Sequence, residues 1–174
     1  MITYFKNMKE FYFREIQESD LIFFISIRNE CSNEFLHDSR VFTIEDSKKW
    51  FIDYSPKYYI INYDGNDIGY FRTSNHSEIN KNIYIGCDLH KDWRGKGISY
   101  LAYLEFIPTL FENLNLHKIS LEVLSTNVVA YNLYKKIGFV YEGCKRDEVL
   151  KKDQWVDSII MSIKKEEYFN KYGK

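Results

Sequence analysis

The spacing of apolar side chains switches between a period of two and a period near 3.6 several times along this chain, and each switch predicts a new element. Phe11-Tyr-Phe-Arg-Glu-Ile16 is rich in β-type residues and predicts a first strand. Ser19 or Asp20 can then cap a helix through Leu21, Phe24, Ile25 and Ile27. A polar stretch through Arg40 leads to Thr43-Ile-Glu-Asp46, which resembles a capping box, and to a short helix carrying Trp50 and Phe51. Tyr58–Tyr63 and Ile68–Thr73 are predicted as antiparallel strands joined by the tight turn Asp64-Gly-Asn-Asp.

In the second half, Asn82–Leu89 sets Ile83, Ile85, Cys87 and Leu89 on one face against Tyr84, Gly86 and Asp88 on the other, which predicts a strand in which Gly86 permits a bulge. After the loop His90–Lys96, a helix carries Ile98, Leu101, Leu104, Ile107, Phe111 and Leu114, with Pro108 predicting a kink. Ile119–Val123 alternates as a strand. Val128–Ile137 then has Ala130, Leu133, Tyr134 and Ile137 on one helical stripe, closed by Gly138 as a left-handed cap from which Phe139 folds back. Val140–Glu142 and Trp155–Ile163 are predicted as closing strands. The order β-α-α-β-β-β-α-β-α-β-β, without linker, repeat or low-complexity segment, predicts an α+β fold and a single domain over residues 1–174.

Composition narrows the classes. A hydrophobic share of 45% suffices for one packed core in 174 residues. The net charge of -1 and pI near 6.4 lack the basic field of a nucleic-acid binder, so no nucleic-acid partner is expected. The longest apolar runs, such as Leu21–Ile27, are too short to span a bilayer, and the N-terminus lacks a charged head followed by an apolar leader. A cytoplasmic protein without a membrane partner is the expectation. Cys31, Cys87 and Cys144 have an odd count and no CxxC spacing, and the four histidines are scattered; free thiols and no metal site are expected.

The chemistry concentrates in Asp88-Leu-His-Lys-Asp-Trp-Arg-Gly-Lys-Gly-Ile-Ser99, between an alternating strand and an amphipathic helix. Gly95 and Gly97 let the backbone turn sharply, and the first N–H groups of the helix lie at the positive end of its dipole. Lys91, Arg94 and Lys96 add positive charge, so the stretch reads as a cradle for an anion such as a pyrophosphate. It contains neither GxxxxGK[ST] nor GxGxxG, which excludes a Walker loop and a dinucleotide fingerprint. By itself it also reads as a plain strand-to-helix turn.

Arg94-Gly-Lys-Gly97-Ile-Ser99, followed by Asn127-Val-Val-Ala-Tyr-Asn-Leu-Tyr134-Lys-Lys-Ile-Gly138-Phe139, resembles the GNAT family of N-acetyltransferases. The first segment is similar to the family's Q/R-x-x-G-x-G/A loop and the second to its N-x-x-A/S-x-x-L-Y-x-x-x-G-F segment. The likeness is close over Ile83–Phe139 and looser from Phe11 to Ile163, with Ser99 standing where Gly or Ala is usual. It implies a mixed, mostly antiparallel sheet flanked by helices, in which the parallel strands Ile83–Leu89 and Ile119–Val123 splay around acetyl-CoA. Backbone groups of Cys87 to Leu89 would pair with the pantetheine arm. The N–H groups of Arg94, Gly95, Lys96, Gly97, Ile98 and Ser99 would hold the pyrophosphate, and Asn127 would bond the cofactor. Tyr134 would sit near the sulfur, as general acid or as hydrogen-bond donor to the thiolate; on its helix stripe it also reads as a core aromatic.

For the general base, Asp88 at the strand end comes first, with Glu122, Asp147 and Glu148 behind it; each also reads as a solvated or structural acid. His76 and His90 read as surface residues. Cys87 reads as a small hydrophobe, which points to direct transfer without an acetyl-cysteine. The acceptor is a small-molecule primary amine. Ile27-Arg-Asn-Glu30, Phe35-Leu-His-Asp-Ser39 and Phe42-Thr-Ile-Glu45 resemble the branch that acetylates nucleotide-linked 4-amino sugars, which implies acceptor contacts from Arg28, Asn29, His37 and Arg40 or, alternatively, helix caps and surface charge. Phe139-Val-Tyr-Glu-Gly143 and Trp155-Val-Asp157 equally resemble the RimJ/RimL-like branch acting on ribosomal-protein N-termini or polyamines. The reading leans to an amino sugar. A non-catalytic acyl-CoA sensor is the alternative of a different class, and the resemblance is compatible with a homodimer.

Overall fold

The computed structural model describes residues 10–173. Seven strands form one sheet in the order β1-β2-β3-β4-β5-β7-β6, where β1 is Phe11–Glu15, β2 Tyr58–Tyr63, β3 Asn66–Ser77, β4 Asn82–Leu89, β5 Lys118–Leu124, β6 Val140–Lys151 and β7 Gln154–Lys164. Every neighbouring pair is antiparallel except β4 with β5. Helices α1 (Leu21–Ser32), α2 (Ile44–Tyr54), α3 (Ile98–Asn113), α4 (Val128–Ile137) and α5 (Lys165–Tyr172) flank it. This is the mixed α+β fold that the resemblance implied.

Period-two alternation in the central strands explains the layering. Ile60 and Tyr70 face α1 and α2, packing with Leu21, Phe24 and Ile27, and Phe24 stacks on Trp50 with ring centroids 5.1 Å apart. Their chain neighbours Ile61 and Phe71 face the other way, where Phe71 stacks on Phe106 of α3 at 4.1 Å. Each such fully buried side chain contributes roughly 1.5–3 kcal/mol. The Thr43–Asp46 capping box and the Gly138 cap form as expected, with φ of 119° at Gly138.

Several features differ from or go beyond the sequence expectation, among them α5, which no predicted element covers. Gly86 makes no bulge: it pairs in register with Arg72, and a Cβ there would lie 2.6 Å from Arg72 Nη2. Its missing side chain makes room for a guanidinium. Pro108 lies inside an uninterrupted α3, where it cannot donate to the Leu104 carbonyl; the Tyr168 hydroxyl of α5 donates to that oxygen instead, at 2.8 Å. Finally, the predicted short closing strand extends as β6 to Lys151 and turns at Lys152 and Asp153, both with positive φ, into β7.

Candidate active site

The parallel pairing of β4 with β5 is confined to Asn82–Tyr84 against Lys118–Ser120. From Ile85 and Leu121 onward the two strands diverge, leaving one backbone edge of each without a sheet partner on that side. A cleft of about 880 Å³ opens there. Cys87, Asp88, Leu89, Arg94, Gly95, Ser99, Asn127 and Tyr134 line it, along with His37, Arg72, Glu122 and Lys151. One wall thus joins the β4 end to the loop before α3 and the start of α4.

Gly95 and Gly97 hold φ of 70° and 74°, and a Cβ on either would meet open space, so the backbone conformation rather than crowding calls for glycine. Gly97 is the N-cap of the 16-residue α3 and has no side chain to satisfy its first N–H groups. Those donors, the helix dipole and the exposed Lys91 and Lys96 fit a pyrophosphate. The guanidinium of Arg94 is used elsewhere: Nε donates to the Leu89 carbonyl at 2.8 Å, Nη1 pairs with Glu30 at 3.1 Å and Nη2 reaches Cys31 Sγ at 3.0 Å. Its side chain staples the loop to α1, and its backbone N–H donates to the Lys91 carbonyl at 3.2 Å, so the structure gives neither group of Arg94 to a phosphate as it stands. Ile98 is 7% exposed and packs into the core, so it could offer only its backbone.

Asn127 caps α4 by accepting from Ala130 N at 3.2 Å, which commits Oδ1 and leaves the side-chain NH₂ as a donor. One helical face onward, Tyr134 is 8% exposed and meets Tyr103 edge to face at 5.7 Å. Burial pushes its hydroxyl up to about 12, so it is protonated at neutral pH. Burial also pushes the Cys87 thiol well up, which disfavours the thiolate that an acetyl-cysteine route requires.

Two carboxylates line the cleft in different states. Asp88 is 6% exposed with Oδ2 2.8 Å from Arg72 Nε, an ion pair whose N–H points off the line between the atoms. It neutralises the guanidinium that occupies the space above Gly86. Glu122 on β5 accepts from Lys145 Nζ at 2.7 Å and from Ser158 Oγ at 3.1 Å. Because Ser158 donates its proton to Glu122, it accepts from His37 Nε2 at 2.7 Å, which makes His37 an Nε2–H tautomer with Nδ1 free to accept. Burial would lift the Glu122 carboxyl, but the bonds from Lys145 and Ser158 outweigh it and hold it below the usual glutamate range. Burial lowers His37, so at neutral pH a carboxylate and an uncharged imidazole stand side by side.

Of the expected acceptor contacts, only His37 reaches the cleft. Arg28 donates to the Arg40 carbonyl, pairs with Asp38 at 3.1 Å and lies over the Phe42 ring at 3.9 Å. Asn29 exchanges two hydrogen bonds with the Phe42 backbone, and Arg40 pairs with Asp38. These side chains fold the α1–α2 connection. Asp147 and Glu148 do not line the cleft either. Arg72, Ser158 and Lys151 were not anticipated: β3 carries no motif, and the segments of β6 and β7 likened to the RimJ/RimL-like branch do not include Lys151 or Ser158.

Sequence comparison settles the family. The model of the Acetyltransferase (GNAT) family matches residues 21–139. The chain belongs to this family. As a GNAT acetyltransferase it is an acetyl-CoA-dependent N-acetyltransferase. It is 25% identical over 166 residues to the SPbeta prophage-derived N-acetyltransferase YokL of Bacillus subtilis, covering 92% of this chain and 93% of that one. It is 26% identical over 80 residues to the ribosomal protein uS5-alanine N-acetyltransferase of Escherichia coli, a match to 46% of this chain and only 41% of the relative. The fold superimposes with a TM-score of 0.85 on a Vibrio cholerae spermidine N-acetyltransferase crystallised with CoA and spermine, at 23% identity over 92% of this chain and 98% of that one. Among the described residues no helix is long and apolar enough to cross a membrane, and no cluster of three His, Cys, Asp or Glu side chains could hold a metal.

Proposed function

We propose that this GNAT acetyltransferase carries the acetyl group directly from acetyl-CoA to a small, polar primary amine, with Tyr134 as general acid and Glu122 as general base. The observation that carries this reading is the meeting, in one cleft, of the glycine loop and strand splay, the protonated Tyr134, and the ionised Glu122 with its neutral His37 neighbour. Backbone groups of Cys87 to Leu89 and the amides from Gly95 to Ser99 hold the two halves of the coenzyme, and the Asn127 NH₂ donates to it. Glu122 draws in the ammonium and takes one proton, the amine nitrogen forms the C–N bond as the C–S bond breaks, and the Tyr134 hydroxyl protonates the departing sulfur; the second proton that the nitrogen sheds as the amide forms restores the tyrosine, and Glu122 releases its proton to solvent. Both carboxylates are ion-paired, Asp88 with Arg72 and Glu122 with Lys145; Glu122 is taken as the base because its side chain is 24% exposed and stands beside the neutral His37, whereas that of Asp88 is 6% exposed.

His37, Asn33 and Gln154 supply hydrogen-bonding groups to the acceptor end of the cleft, which supports a hydroxyl-rich acceptor of the nucleotide-linked amino-sugar kind. The likeness to enzymes named for spermidine and for a ribosomal alanine supports a polyamine or protein N-terminus as the second reading. The test mixes the enzyme with acetyl-CoA alone, then with nucleotide 4-amino sugars, polyamines and N-terminal peptides. We expect unchanged protein mass without an amine and acetylated product with the amino sugars. A stable acetyl adduct on the protein would overturn direct attack, and turnover confined to polyamines or peptides would move the acceptor to the second reading.

A further inference from the structure

Three ion pairs hold charged side chains that line the cleft, while the exposed Glu34 is in none among the described residues. Arg72 is paired with Asp88, Arg94 with Glu30, and Glu122 with Lys145. Lys151, at the end of β6, is different: it lines the cleft, is 9% exposed, and among the described residues has no carboxylate in ion-pair contact. Its Nζ donates to the Ser32 carbonyl at 2.7 Å and to Ser39 Oγ at 2.6 Å, two neutral oxygens that take two of its three protons. Burial lowers its pKa, and the nearby but non-contacting Asp38, itself paired with Arg28 and Arg40, offsets this only in part. The adjoining Lys152, exposed at the hairpin turn, also lines the cleft and adds a second cation without an ion pair among the described residues.

We propose that the acceptor carries an anionic group, a carboxylate or a phosphate, which enters beside Lys151 and completes its ion pairing while the amine lies at Glu122. The inference rests on the transfer reading above and narrows its substrate class. It sets this cleft apart from one suited to a polyamine, whose additional positive charges would approach Lys151 and Lys152 with Glu34 as the one carboxylate, among the described cleft residues, outside an ion pair.

The test uses ω-amino acids and ω-aminoalkyl phosphates of increasing chain length, each beside its uncharged amide or alcohol, together with spermidine. The wild type should favour the anionic member of a pair by roughly ten- to a hundredfold in kcat/KM, the range of one charge-assisted hydrogen bond. The better of the carboxylate and phosphate series identifies the group. Lys151→Met should bring the members to parity by slowing the anionic one, whereas Lys151→Arg should keep the preference. Equal or better turnover of uncharged acceptors or spermidine by the wild type would overturn the inference. So would an equal loss on both members in Lys151→Met, which would make Lys151 only a clasp on the end of α1. The same pairs are titrated calorimetrically into the CoA-bound protein. Tighter, Lys151-dependent binding of the anionic member without turnover would uphold the inference and sink the transfer reading, while turnover without charge discrimination would do the reverse.

Discussion

Replacing Tyr134 by Phe should lower kcat by about a hundredfold or more while leaving acetyl-CoA affinity within a few-fold of wild type. The ring packs against Tyr103 and Phe139, and Phe preserves those edge-to-face contacts, so the substitution removes a proton donor without opening a cavity. What is lost is protonation of the departing sulfur, an interaction that strengthens only as the C–S bond breaks. Steady-state kinetics with a calorimetric Kd for acetyl-CoA checks this. A variant with unchanged kcat would remove Tyr134 from the chemistry and leave it a core aromatic on the α4 stripe.

Glu122→Gln should also slow turnover by about a hundredfold at neutral pH, but with a pH profile that Tyr134→Phe does not share. The wild-type carboxyl is held below the usual glutamate range, so it remains ionised down to mildly acidic pH. His37 is lowered as well, so falling pH charges it only below the usual histidine range. Without the carboxylate the amine must arrive already deprotonated. The deficit of Glu122→Gln should therefore shrink as pH rises toward the pKa of the acceptor amine, while that of Tyr134→Phe should not. A pH-independent deficit would make Glu122 a positioning group for His37 through Ser158.

What the sequence disclosed follows where its signals are local. The glycine loop, the Asn127 cap and the Tyr134 stripe lie within continuous segments whose spacing states their geometry, and the structure brings them to one cleft. The acceptor end is assembled from residues far apart in the chain: His37 meets Ser158 across 121 positions, and Lys151 meets Ser32 across 119. No periodicity encodes such a meeting. Arg28 and Arg40 looked like acceptor contacts because a cation in a polar loop reads the same whether it awaits a ligand or, as here, closes on Asp38 and Phe42. β6 was underestimated because it is an edge strand whose charged, exposed middle masks the alternation, and Lys152-Asp153 lacks the Asn-Gly signature of a tight turn. α5 is short and polar, with Tyr168 as its one fully buried anchor.

The splay between β4 and β5, with the glycine loop at its end, is the proposed acetyl-CoA site. Calorimetric titration of acetyl-CoA into the wild type and Gly97→Val tests it most directly, because a β-branched residue resists φ of 74° but would face open space there. The account predicts one acetyl-CoA per chain for the wild type and at least a roughly tenfold weaker Kd for a Gly97→Val protein that retains its melting cooperativity, in line with about 1–3 kcal/mol of backbone strain. Absence of binding to the wild type, or equal affinity in the variant, would contradict it.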